Sequence, residues 1–124
     1  MSRKIDRQKL GQDNEALAER YLLKQGMTIQ ARNYRCKAGE IDLIARHGDT
    51  LVFVEVRYRG NSSFASGEES VTRSKQRRLI RAAQHYLLYT RLDCPCRFDV
   101  LAINQTLLGR SRVHWIDNAF DASA

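Results

Sequence analysis

The sequence predicts one α/β domain in which a mixed β-sheet is flanked by helices. Two segments, about 10–25 and 72–89, carry apolar residues at helical spacing. The remaining segments alternate or run apolar over strand lengths, which gives the order helix, three strands, helix, strand, strand. A chain of 124 residues is large enough to form one hydrophobic core without disulfides or metals.

The two helices differ in how clearly their ends are marked. Gly26 is placed to end the first helix, and the polar, basic residues 1–9 before it are predicted to be flexible. Ser70 or Thr72 can cap the second helix. The apolar stripe of this second helix comprises Leu79, Ile80, Ala83, Tyr86 and Leu87.

A β-hairpin is the clearest local prediction. A first strand over 27–35 precedes it, and Gly48 and Asp49 then separate two apolar runs, as in a two-residue hairpin loop. Residues 51–54, in the second hairpin strand, are apolar on both faces, which predicts a central strand that is covered on both sides.

The later connections and strands are less regular. Segment 60–69 is polar, rich in glycine and serine, and predicted to be a flexible loop. It is either a flap over a site, with Phe64 at its tip, or a surface loop without a role. Alternation predicts strands over 97–103 and 113–116, after which Asp117 can cap a final turn.

The hairpin brings acidic residues together. With a two-residue loop, Asp42 lies opposite Glu55, Glu40 lies opposite Arg57, and all four side chains project from one face. Opposed like charges repel, and a bound divalent cation is the most economical reason to keep two of them. Glu15 borders the buried stripe of the first helix and can reach across to the sheet.

Basic residues predict a polyanionic partner. The chain has 21 Lys+Arg against 14 Asp+Glu, a net charge of +7, although such an excess can also serve solubility alone. Cations near a helix N-terminus oppose the helix dipole, so a run of them there favours a phosphate-binding surface. The predicted nucleic-acid-binding residues of the second helix are Arg73, Lys75, Gln76, Arg77, Arg78 and Arg81.

Cysteine usage and hydropathy predict a cytoplasmic protein. Three cysteines form no disulfide framework, and an odd number argues against secretion. Cys94 and Cys96 offer at most two zinc ligands. We find neither an N-terminal leader pattern nor an apolar run long enough to span a membrane, so no membrane partner is expected.

An acidic cluster beside a basic residue suits phosphodiester hydrolysis. Hard oxygen ligands hold Mg²⁺ or Mn²⁺, and the metal activates a water and neutralises charge on the phosphate. A nearby cation can orient the water or stabilise that charge.

Four blocks of sequence carry a family resemblance: residues 39–44 (GEIDLI), 53–57 (FVEVR), 71–76 (VTRSKQ) and 97–100 (RFDV). Together they resemble the YraN family of uncharacterised bacterial proteins, and the similarity spans nearly the whole chain. This family is similar in turn to the restriction-endonuclease-like superfamily and above all to archaeal Holliday-junction resolvases.

The resemblance implies a restriction-endonuclease-like αβββαβ core and assigns roles to the acidic residues. Asp42 and Glu55 become the catalytic, metal-binding carboxylates, while Glu15 and Glu40 match acidic positions that complete the metal site. Arg57 occupies the place of the superfamily's catalytic lysine. Arginine cannot act as a base, but it can stabilise negative charge or pair with Glu40 across the hairpin.

Three functions remain open from the sequence. The first is a metal-dependent nuclease that acts on branched, single-stranded or damaged DNA. The second is a non-catalytic accessory protein that binds nucleic acid and keeps the nuclease fold. The third is an interaction module with a protein partner, in which the acids and Arg57 form a salt-bridge cluster. Junction-specific relatives act as dimers, so a homodimer is one expected arrangement.

Overall fold

One mixed sheet organises the structure. The computed structural model describes residues 3–59, 71–105 and 110–122, except for the side chains of 3–13, 59 and 105. The described elements are α1 (Arg3–Lys24), β1 (Thr28–Cys36), β2 (Gly39–His47), β3 (Thr50–Arg59), α2 (Arg73–Thr90), β4 (Cys96–Gln105) and β5 (Ser111–Phe120). The strands lie in sequence order, and every neighbouring pair is antiparallel except β3 and β4. The α2 helix supplies the crossover that a parallel pair requires. The predicted α/β class and αβββαβ core are confirmed.

The β3 strand is the centre of the core. Leu51 and Phe53 pack into an apolar cluster with α2, whereas Val52 and Val54 pack into a second cluster with α1. All four are at most 2% exposed. Burying an aliphatic or aromatic side chain of this size contributes about 1.5–3 kcal/mol, so both helices are held by the same strand. This confirms the prediction that β3 is covered on both sides.

The hairpin of β2 and β3 has the predicted register. His47 pairs with Thr50, and the pairing continues without a shift to Leu43 and Val54. Gly48 has φ of +62°, a left-handed conformation that glycine adopts without steric cost. The two-residue loop therefore fixes which residues approach each other at the far end of the hairpin.

Both chain ends differ from the predicted element boundaries. The α1 helix begins at Arg3 rather than near Leu10, because Arg, Lys and Gln are good helix formers even where apolar periodicity is absent. The β5 strand runs to Phe120, so the prediction of a capped turn after Asp117 is wrong. The pairing of β4 with β5 shifts register between Phe98 and Val100. This shift interrupts the alternation of side chains that would otherwise mark the full length of β5.

The helix caps and the connections complete the fold. Thr72 is one of the two residues predicted to cap α2. It is the N-cap, and its side chain accepts a hydrogen bond from Lys75 N at 3.2 Å. The predicted flap, with Phe64, lies outside the described residues. Neither described helix has the length and apolar character needed to cross a membrane.

Candidate active site

Asp42 lies where β2 and β3 stop pairing. The last paired residues are Leu43 and Val54. Just beyond this pair, the Asp42 carboxylate accepts a hydrogen bond from Val56 N at 2.8 Å. A side-chain oxygen thus satisfies a backbone donor that would otherwise lack a partner near the end of the ladder. Asp42 and Glu55, predicted to lie opposite each other, come one position after these last paired residues, and both line the same cavity.

A local irregularity lets Asp42 reach both sides of the sheet. Ile41 packs in the cluster on the α2 side, but Leu43 packs in the cluster on the α1 side, although strict alternation would place both on one face. On the neighbouring strand, Asn33 has φ of +50° and falls between the residues paired with Leu43 and Ile41. Asparagine tolerates this left-handed conformation better than most residues. Asp42 lies at the point where the side chains of β2 change from one face of the sheet to the other.

Glu55 is the buried carboxylate of the site. It lies on the central strand, next to Val100 of β4, and is 6% exposed. A buried carboxylate needs a counter-charge. Lys75 of α2 supplies one, with Nζ 2.9 Å from Glu55 Oε1, and Arg57 supplies another at 3.8 Å.

An open cavity of about 240 Å³ lies over these groups on the α2 side of the sheet. Its lining combines acids and cations with two apolar contacts, and it consists of Gly39, Glu40, Asp42, Glu55, Lys75, Arg78 and Leu79. A second open depression, of about 170 Å³, is lined by Asn14, Glu15, Asp42, Val56 and Tyr58. Asp42 borders both depressions, whereas Glu15, which is exposed on α1, lines only the second.

The environment raises the pKa of Asp42 to about 7. Burial is the largest cause, the negative charge of Glu55 is the second, and the hydrogen bond from Val56 N opposes both. Because burial and a neighbouring like charge both disfavour ionisation, Asp42 keeps its proton to a much higher pH than an ordinary aspartate does. A bound cation would remove this penalty.

The donor set fits a hard divalent cation with a partly aqueous shell. Within 3–59, 71–105 and 110–122, no three His, Cys, Asp or Glu side chains are close enough to hold a metal together. Mg²⁺ nevertheless keeps several waters and is commonly held by one or two carboxylates together with substrate phosphates. Asp42 and Glu55 match that pattern, and their repulsion gives them a reason to accept a cation.

Other contacts replace the ion pair that Arg57 could form with Glu40 across the hairpin. Glu40 contacts Arg35 at 3.4 Å, and Arg57 contacts Glu55 at 3.8 Å. Arg35 lies directly opposite Glu40 in the register of β1 and β2, which the hairpin considered alone does not include. Glu40 remains at the rim of the cavity, with 42% of its side chain exposed.

The predicted nucleic-acid-binding residues of α2 fall into two groups. Lys75 and Arg78 line the acidic cavity. The others are not among its lining residues: Gln76 donates to Val71 O at 3.1 Å, and a small depression is lined by Arg73, Gln76, Arg77 and Ile80. Gln76 therefore stabilises the start of α2 and does not line the cavity of Asp42 and Glu55.

The sequence alone does not predict the contact between Lys75 and Glu55. Lys75 lies four residues before Leu79, so the buried stripe of α2, continued back by one turn, passes through it. That continuation is the signal that separates Lys75 from the exposed arginines around it. Its partner on β3 depends on how α2 crosses the sheet and has no signal in the local sequence.

Asp99 is a second buried carboxylate, and its surroundings are those of a structural group. It is 1% exposed and accepts hydrogen bonds from Trp115 Nε1 at 2.8 Å, from Asn118 N at 2.9 Å and from the Arg97 guanidinium at 3.0–3.2 Å. These donors come from both β4 and β5. Asp99 thus joins the last two strands at the bulge instead of offering lone pairs to a ligand.

Comparison with known proteins gives one consistent family. The model of uncharacterised protein family UPF0102 matches residues 14–103. A UPF0102 protein of Saccharophagus degradans is 50% identical over 112 residues, which cover 89% of this chain and 91% of the relative. A UPF0102 protein of Methylobacillus flagellatus is 46% identical over 113 residues, which cover 91% and 97%. A third, from Hahella chejuensis, is 50% identical over 112 residues, which cover 90% and 89%.

Proposed function

The chain belongs to uncharacterised protein family UPF0102, and we propose that it is a divalent-metal-dependent phosphodiesterase that acts on nucleic acid. The observation that carries this proposal is the pair of Asp42, which is partly buried, and Glu55, which is buried, in a cavity that cations also line. Burial and the negative charge of Glu55 both raise the pKa of Asp42, which supports a role in binding a cation. DNA, branched or single-stranded, is the substrate expected from the resemblance to junction resolvases.

Asp42 and Glu55 are the residues that would hold Mg²⁺ or Mn²⁺. When bound, the ion would supply an activated water at neutral pH and a positive charge next to the phosphate. The chain's own part is to fix the two carboxylates: Val56 N holds Asp42, and the rigid central strand holds Glu55. Held groups need no reorganisation during the reaction.

The cations around the cavity favour a phosphate-bearing substrate. Arg78 and Lys75 line the cavity, and Arg57 lies 3.8 Å from Glu55, one of the acids that line it. The exposed Arg73, Arg77 and Arg81 continue the positive charge along α2. Arginine and lysine side chains that neutralise phosphates supply most of the sequence-independent affinity for nucleic acid. The substrate backbone would therefore run along α2 with one phosphate in the cavity.

A second candidate function is binding of nucleic acid without hydrolysis. The observation that favours it is Arg57, which stands where the resemblance implies a lysine and cannot act as a base. In this case the arginines of α2 bind the backbone, and the carboxylate pair serves only as a partner for Lys75 and Arg57.

Cleavage of labelled DNA distinguishes the two functions. The substrates are a four-way junction, a flap, a duplex and a single strand, each tested with Mn²⁺, with Mg²⁺ and with a chelator. We expect cleavage that requires the metal, because it completes the site, and that falls by about 10²-fold or more in both Asp42→Asn and Glu55→Gln.

The matched control is Asp49→Asn, which changes an exposed acid in the hairpin turn and should leave cleavage unchanged. Cleavage that persists in an Asp42→Asn/Glu55→Gln double variant would come from another enzyme in the preparation and would refute the proposed hydrolysis. Binding of all four substrates without cleavage would favour the second function.

A further inference from the structure

We propose that Lys75 of α2 supplies the lysine of this site: its ammonium group holds Glu55 before the metal arrives and then orients the attacking water and the phosphate. This inference rests on the proposed function and assigns to Lys75 the part that Arg57 would hold by its place on β3. It separates Lys75 from the helix residues that only bind the nucleic-acid backbone.

Distance distinguishes the two cations. Lys75 Nζ lies 2.9 Å from Glu55 Oε1, which is hydrogen-bond distance for a charged pair, whereas the Arg57 guanidinium lies at 3.8 Å from the same atom. Their side chains are similarly exposed, at 32% for Lys75 and 30% for Arg57. Lys75 also lines the cavity together with Asp42, so its ammonium group lies where the reacting groups would meet.

The chemistry of the two side chains favours lysine for this part. A lysine ammonium is a compact charge with three donors, so that one can bind Glu55 while the others reach a water or a phosphate oxygen. A guanidinium spreads its charge over a planar fork that suits bidentate pairing better than the orientation of a single water.

The helix register places Lys75 apart from the exposed arginines. Lys75, Arg78 and Leu79 are three and four residues apart, lie on one face of α2 and line the cavity together. Arg73, Arg77 and Arg81 are spaced by four residues, are exposed, and form a second stripe. The α2 helix thus contributes to the cavity through one face and to a longer polyanion surface through another.

The contact between Lys75 and Glu55 predicts how the metal affinity changes when Lys75 is replaced. This prediction can be tested without measuring DNA cleavage. Without metal, the Lys75 ammonium neutralises Glu55. An arriving dication must compete with that ammonium for the same carboxylate and is repelled by its charge. Removing the charge of Lys75 should therefore tighten metal binding. Loss of a lysine that only holds the fold would instead weaken metal binding or leave it unchanged.

The test measures Mn²⁺ affinity by calorimetry at pH 8 and, on the same proteins, the single-turnover rate of DNA cleavage with saturating Mn²⁺. The variants are Lys75→Met, Lys75→Gln, Arg57→Met and, as a matched control away from the site, Arg20→Met at an exposed position of α1. Lys75→Gln keeps a hydrogen-bond donor to Glu55 and guards against loss of folding in Lys75→Met.

We expect both Lys75 variants to bind Mn²⁺ several-fold more tightly than wild type and to cleave about 10²-fold more slowly, the usual effect of losing a positioned proton-transfer or water-orienting group. Arg57→Met should lose less cleavage activity, and Arg20→Met should keep the wild-type metal affinity and cleavage rate. An active wild type with fully active Lys75 variants, or Lys75 variants that bind Mn²⁺ more weakly, would overturn the role of Lys75 alone. A wild type that cleaves nothing would overturn the proposed function and this role with it.

Discussion

Asp42 combines a structural role with a chemical cost. Its carboxylate binds Val56 N where β2 and β3 separate, which completes the backbone hydrogen bonding of the hairpin. Asparagine could make the same bond without the charge, and the charge is what burial and Glu55 oppose. An aspartate at this position therefore costs stability in the metal-free protein, which is consistent with the proposed metal site.

We predict that Asp42→Asn stabilises the metal-free protein, and more so at pH 8 than at pH 5. The folded-state pKa of about 7 lies above the ordinary value of 3.8, so the folded state binds the proton more tightly than the unfolded state. The contribution of Asp42 to stability is then greatest at low pH and is lost as pH rises to about 7.

Thermal or urea unfolding in the presence of a chelator measures this effect. The advantage of Asp42→Asn should grow between pH 5 and pH 8 by more than about 1 kcal/mol, the equivalent of one pKa unit. Asp49→Asn, in the exposed turn, should show no such growth. An advantage that is equal at both pH values would mean that Asp42 ionises normally in the folded protein.

The sequence could predict the approach of Asp42 to Glu55 because a two-residue loop fixes the hairpin register. It could not predict the partners of Glu40 and Glu55 in the same way. Arg35 reaches Glu40 from β1, and Lys75 reaches Glu55 from α2, so both contacts depend on elements outside the hairpin. Local register predicts neighbours within one pair of strands, whereas a third element decides which charge is neutralised.

The α2 helix is the element that combines the two proposed activities. One face packs on the sheet and brings Lys75 and Arg78 to the cavity. The other carries exposed arginines that, in the part of the chain described, form no ion pair with an acid: Arg73, Arg77 and Arg81. Like charges spaced by four residues destabilise a helix slightly, which supports a ligand for the stripe.

We predict that Arg77→Gln/Arg81→Gln weakens DNA binding and lowers its salt dependence. Each phosphate contact to duplex DNA contributes about 0.9 to the slope of log K against log salt, so losing two contacts lowers the slope by about 1.8. Fluorescence anisotropy between low and moderate salt measures both quantities in the presence of a chelator, which prevents cleavage.

The control for this helix surface removes the same charge elsewhere. Arg20→Gln/Arg112→Gln changes two exposed arginines on α1 and β5. It should preserve the salt slope of wild type. Equal losses in the two double variants would show that net charge, and not the α2 stripe, determines binding.

Element boundaries were predictable where a periodic pattern is unbroken. The hairpin and α2 follow their patterns closely, with the turn at Gly48 and the cap at Thr72 where expected. The β5 strand was predicted too short because its bulge interrupts the period of two, although Phe120 still stacks on Phe98 at 4.9 Å between ring centroids. The start of α1 lacks apolar periodicity, so only the helix propensity of its residues indicates it.

At the scale of the whole molecule, the sheet order determines where chemistry can occur. The central β3 is buried along its first half on both faces and carries Glu55 where this apolar run ends. Its two neighbours differ, since β2 pairs antiparallel and ends its pairing at Leu43 while β4 continues in parallel beyond Glu55. The divergence of β2 from β3 opens the cavity, and α2 closes one side of it.

The measurement that tests the central claim most directly is a calorimetric titration of the metal-free protein with Mn²⁺ at pH 8, above the pKa of Asp42. We expect saturable binding in wild type and in Asp49→Asn, and its loss in Asp42→Asn/Glu55→Gln, because the two carboxylates are the proposed protein ligands. Binding should also weaken at pH 6, where the proton on Asp42 competes with the metal. Wild-type protein that takes up no Mn²⁺, or a double variant that binds it as wild type does, would contradict the assignment of Asp42 and Glu55 as a metal site.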